Sequence, residues 1–70
     1  MAHYYINKNA QPTGEHEVHT TGCSHPPDLM NRIDIGDFPN CHQAVAAAKK
    51  KWPNHKIDGC YYCCNDCHTR

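Results

Sequence analysis

The stretch GCYYCCNDCH, residues 59–68, holds four of the chain's six cysteines, and nothing else in the 70 residues constrains the fold as strongly. A chain of this length buries only about 60% of the surface that its unfolded form exposes. Its large aliphatic residues are Ile6, Val18, Leu29, Ile33, Ile35, Val45 and Ile57, joined by Phe38, Trp52 and four tyrosines. That makes a thin core. Scaffolds below about 70–80 residues usually need a staple, from disulfides, a metal or a partner chain. The cysteines are therefore expected to matter for folding, within one small domain spanning 1–70.

The choice of staple depends on compartment. The N-terminal residues MAHYYINKN contain no apolar signal-like segment. No apolar run approaches the roughly 20 residues that span a bilayer. The chain therefore reads as cytoplasmic, where thiols stay reduced, with no membrane partner and as a monomer. Seven basic residues balance seven acidic ones, which argues against a general electrostatic grip on nucleic acid. Seven histidines in so short a chain favour metal chemistry and titration near neutral pH.

Residue patterning predicts an α+β domain: a three-stranded antiparallel sheet with one helix packed on it. His3–Lys8 reads as a strand through Tyr4, Tyr5 and Ile6. Residues 9–14, NAQPTG, form a turn. Glu15–Thr20 alternates, with His16, Val18 and Thr20 on one face and Glu17 and His19 on the other. Residues 21–28, with Pro26-Pro27, form a loop. Arg32–Ile35 alternates again, with Ile33 and Ile35 facing one way and Gly36 ending the strand. The helix starts at Asn40, a good N-cap with Gln43 three residues on. Cys41, Ala44 or Val45, Ala48 and Trp52 give it one apolar stripe. Lys49, Lys50 and Lys51 complement its dipole as a solvated end, and Pro53 stops it. Val45, Ala48 and Trp52 should pack on Ile6, Val18, Ile33 and Ile35. Residues 54–59, NHKIDG, read as a turn, so no strand leads into the cysteine cluster.

The cluster contains two interlocked C-x-x-C units, Cys60 with Cys63 and Cys64 with Cys67. Such a turn lets two thiolates converge on one metal, and zinc takes four sulfur or nitrogen ligands tetrahedrally. The second pair is sought upstream, at His19-x-x-x-Cys23, where Gly22 would allow a sharp turn. His19, Cys23, Cys60 and Cys63 thus form a candidate site for one Zn2+. His16 is a rival ligand; Cys64, Cys67 and His68 could complete the site or form another. Cys41 reads as core, or as a reactive thiol near a helix N-terminus. The tyrosines read as core and rim residues rather than base-stacking platforms.

The order aromatic strand, VH-x-x-x-C, strand, F-x-x-C-x-x-A opening a helix, then GC-x-x-C resembles the Ada-type metal-binding domain. That family is a small α+β module of DNA-repair proteins, also appended to some nucleases. The resemblance implies ligands at His19, Cys23, Cys60 and Cys63, and packing positions at Phe38, Ala44 and Ala48. In the repair protein the first ligand is a thiolate that accepts a methyl group; here that position is His19, so methyl transfer is not implied. The chain is also similar to small bacterial proteins that open with N-x-x-x-Q-x-x-G-x-HEVH and end with GC-x-x-CC-x-x-CH.

The function expected is a zinc-binding module with a structural ion and a protein or nucleic-acid partner. The alternatives are a thiol-based redox or alkyl-transfer protein using Cys63, Cys64 or Cys67, and a disulfide-stapled secreted domain.

Overall fold

The computed structural model of the protein describes residues 1–69. Period-two patterning in the first twenty residues produces a hairpin. Strand β1 (Ala2–Asn7) pairs antiparallel with β2 (Glu15–Thr20), placing Tyr5 opposite His19 and Ile6 opposite Val18. The turn between them closes with two bonds of 2.7 Å, from Gln11 N–H to the Glu15 carbonyl and from Gly14 N–H to the Gln11 carbonyl. Gly14 sits at φ 97°, a region that glycine enters without steric cost.

Strand β3 (Arg32–Phe38) pairs antiparallel with the other edge of β1. Gly36 does not end this strand. The register slips between Tyr4 and Tyr5, so that Tyr5 faces Asp34 while Tyr4 faces Gly36, and Ile35 is left as the extra residue of a bulge. Gly36, at φ 129°, takes up the irregularity and lets pairing continue to Phe38. Ile35 packs against the core, but Ile33 is 36% exposed. An edge strand covers its side chains from one side only, which removes Ile33 from the expected core.

Helix α1 (Cys41–Lys51) begins as the cap chemistry dictates: Asn40 Oδ1 accepts the Gln43 N–H at 3.0 Å. It buries Ala44, Val45 and Ala48 and ends with Trp52 N–H donating to the Ala48 carbonyl at 2.9 Å. These residues join Tyr4, Ile6 and Val18 in the core, with Trp52, Phe38 and Ile57 packed at its margin.

The main departure from the sequence expectation is a fourth strand, β4 (Lys56–Gly59), where a turn is predicted. It pairs parallel to β2, with Glu15 beside Lys56 and Val18 beside Gly59, so the sheet is mixed, in the order β3-β1-β2-β4. Parallel neighbours require a crossover connection, usually carrying a helix; here β3 and α1 lie in the connection. The segment KIDG offers only one β-branched residue, so its own propensity is poor. What holds it is the free edge of β2 and a buried anchor. The Asp58 carboxylate, 3% exposed, accepts from Thr69 N–H at 3.0 Å and Thr69 Oγ1–H at 3.1 Å. No helix among the described residues is long and apolar enough to cross a membrane.

Candidate metal centre

The parallel register of β2 and β4 is what assembles the site. With Gly59 beside Val18, Cys60 leaves β4 donating its N–H to the Val18 carbonyl at 3.0 Å, one residue from His19. A tight turn closed by Cys64 N–H to the Cys60 carbonyl, at 2.8 Å, returns Cys63 to the same place. On the other side, Cys23 N–H donates to the Thr20 carbonyl at 3.1 Å, folding the residues after β2 back toward the sheet. Gly22 has no positive φ, so this turn does not depend on the glycine freedom expected there.

One ligand atom from each of His19, Cys23, Cys60 and Cys63 therefore lies within 4.8 Å of all the others, close enough to hold a metal ion. His19 Nδ1 stands 3.4 Å from Cys23 Sγ and 3.9 Å from Cys63 Sγ, and the Cys23 and Cys60 sulfurs are 3.7 Å apart. Each sulfur also accepts a backbone amide at 3.4 Å: His25 N–H to Cys23, Tyr62 N–H to Cys60 and Thr20 N–H to Cys63. Such donors stabilise thiolate charge.

Burial otherwise opposes that charge. It pushes Cys23 up, and Cys60 up to about 12. Cys63 is raised first by its hydrogen bond with Cys64 and then by burial. A bound cation inverts this local balance, because a coordinating thiol is deprotonated outright. The imidazole suits the same task. Burial, and then the Arg32 charge, lower His19 to about 4, leaving a neutral ring with a lone pair to give.

The ring is also held in place. Tyr5 stacks on His19 with centroids 5.5 Å apart and planes 15° apart, and the Arg32 guanidinium covers the Tyr5 ring at 4.8 Å. His19 Nε2 makes no hydrogen bond among the described residues and lies 3.8 Å from Glu17 Oε1. A carboxylate on the far side of a ligating imidazole is the usual outer partner in metal sites.

Of the rival ligands, Cys64 hydrogen-bonds Cys63 but falls outside the four-atom group, and the histidines lie elsewhere. His16 Nδ1 donates to the Asn7 carbonyl at 3.0 Å, and its ring rests on His55. Cys64 is 2% exposed and belongs to the hydrophobic core. His68 Nδ1 donates to the Gly59 carbonyl at 2.9 Å. All six cysteines are free thiols. Cys41 and Cys67 form a second group together with His42, a residue the sequence reading passed over. The only sequence signal for it was a Cys-His pair at the helix start, whose partner Cys67 becomes a neighbour only through the C-terminal turn. No family model, curated protein or solved structure matches the chain.

Proposed function

We propose that this chain is a small zinc-binding module. One structural ion, held by His19, Cys23, Cys60 and Cys63, ties the turn after β2 to the turn after β4. The convergence of these four ligand atoms carries the reading. Zn–S bonds of about 2.3 Å and Zn–N bonds of about 2.0–2.1 Å imply tetrahedral edges of about 3.8 Å between sulfurs and about 3.6 Å between nitrogen and sulfur. The separations of 3.7, 3.4 and 3.9 Å support that geometry. Four protein ligands with no open position are the pattern of a structural rather than a catalytic zinc.

Energetics point the same way. Structural zinc contributes about 10–16 kcal/mol in small peptides at neutral pH, an amount that a core missing Ile33 does not supply alone. The likeness to the Ada-type domain belongs to this proposal, supported by the two ligand pairs and the helix between them. Methyl transfer does not belong to it, because an imidazole stands at the first ligand position. Thiol chemistry at Cys64 is disfavoured by its burial. The remaining task is presentation of a surface to a protein or nucleic-acid partner. Tyr61 and Tyr62, 57% and 60% exposed, lie between two of the ligands, and Tyr62 stacks on His25 at 3.6 Å. These rings support a recognition face beside the ion.

The test is removal and return of the metal. EDTA should abolish the near-UV CD of the reduced protein, and one equivalent of zinc should restore it. Full near-UV CD in protein shown by native mass spectrometry to carry no metal would sink the reading.

A further inference from the structure

Three ligating side chains stand outside the four-residue cluster. Cys41 and His42 are the first two residues of α1, and Cys67 ends the short helical turn Asn65–Cys67. Their meeting is built by the C-terminal turn. That turn lies flat against the end of β4, so close that a Cβ at Gly59 would stand 2.7 Å from Cys67 Cβ. Residues on its C-terminal side anchor it, His68 on the Gly59 carbonyl and Thr69 on the buried Asp58. Cys67 is thereby delivered to the start of the helix. Its sulfur lies 2.8 Å from Cys41 Sγ and 3.5 Å from His42 Nδ1, and all three ligand atoms fall within 4.8 Å of one another.

The setting differs from that of the first cluster. His42 is exposed and the two cysteines are half-buried. His42 and Cys67 border an open cavity of about 330 Å3, also lined by Lys49, Asp66 and Thr69. Two sulfurs and an imidazole form a soft to borderline donor set, suited to Zn2+ and Cu+. Three protein ligands with a free fourth direction are the pattern of a metal site that accepts an external ligand.

We propose that Cys41, His42 and Cys67 form a second metal site, which takes a thiophilic d10 ion such as Zn2+ and leaves its fourth position open to the cavity. This ion exchanges with solvent, whereas the enclosed one does not. Ion entry spreads the two sulfurs toward the edge of about 3.8 Å that a tetrahedral zinc sets. The competing reading is a Cys41–Cys67 disulfide, with S–S of about 2.03–2.05 Å. A bridge would leave His42 and the cavity without a part, and the 3.5 Å approach of the imidazole to Cys67 favours the ion.

The experiment counts ions in the whole chain, anaerobically and fully reduced, by native mass spectrometry during a Zn2+ titration. The parallel readout is the thiolate-to-cobalt charge-transfer band during a Co2+ titration. The wild-type chain should saturate at two ions, and His42→Ala and Cys67→Ser at one, with near-UV CD preserved in both because the first cluster is intact. His42 is exposed, so its replacement tests the site without disturbing the packing. His55→Ala, whose ring packs on His16 and is not one of the three ligands, should keep both ions. Saturation of the wild type at one ion overturns the proposal, as does retention of two by His42→Ala or by a folded Cys67→Ser chain. Loss of the second ion from His55→Ala places that ion elsewhere and overturns it too.

Discussion

At position 59 an added methyl group would stand 2.6 Å from the Cys64 carbonyl oxygen as well as 2.7 Å from Cys67 Cβ. Neither obstacle is the free end of a flexible side chain. Gly59→Ala should therefore lower stability by roughly 1–3 kcal/mol, the usual cost of overpacking; urea denaturation of the zinc-loaded protein measures it, and an unchanged midpoint refutes it. His3 makes a different prediction. Its ring is held between Asp34 and Asp37, with Nδ1 2.6 Å from Asp37 Oδ1. The hydrogen bond to Asp34, then that to Asp37, raise the imidazole above its ordinary 6.5. A raised value means that the folded state holds the proton more tightly. The stabilisation is complete below pH 6.5 and is lost as pH climbs through the folded value. Exposure keeps it small. An NMR titration should find His3 above 6.5, and Asp34→Asn should bring it down; a value at or below 6.5 contradicts the geometry. At this scale the sequence was partly readable. Strand alternation separates His16 from His19, and the structure places them apart in that way. Only its adjacency to Cys41 marks His42 locally; its significance depends on a turn that arrives from 25 residues away.

Helix α1 and the hairpin were legible because their signals are local. Asn40, Gln43, the alanines and the terminal lysines all act within a few residues of one another, and the helix runs from Cys41 to Lys51. Asn40→Ala removes the acceptor for Gln43 N–H and should cost about 0.5–2 kcal/mol; thermal unfolding of the metal-loaded protein reads the loss, and Asn40→Asp should recover most of it. The bulge in β3 and the whole of β4 were not legible, because each depends on a partner strand. Tyr4 and Tyr5 show the slip only when set against Asp34 and Gly36. KIDG becomes a strand only because the edge of β2 accepts it and Thr69 satisfies Asp58. The spacing of His19-x-x-x-Cys23 and Cys60-x-x-Cys63 shows that each pair can converge. That the pairs meet follows from the parallel register, which periodicity does not encode.

For the molecule as a whole, the four grouped side chains sit on either side of the β2–β4 contact, so the proposed ion would make folding and ion binding one linked equilibrium. Stability should then climb with free zinc by about 1.4 kcal/mol per ion for each tenfold rise above that ion's dissociation constant. Urea midpoints in zinc-buffered solutions measure the slope, and a midpoint independent of free zinc would show that the fold does not depend on the ion. Tyr5 gives this coupling a further consequence. Its phenol ring lies between a guanidinium and the His19 imidazole. An ion arriving on Nδ1 draws electron density out of the ring against which the phenol rests. Zinc loading should therefore shift the Tyr5 absorbance, which a difference spectrum of metal-free and zinc-loaded protein measures.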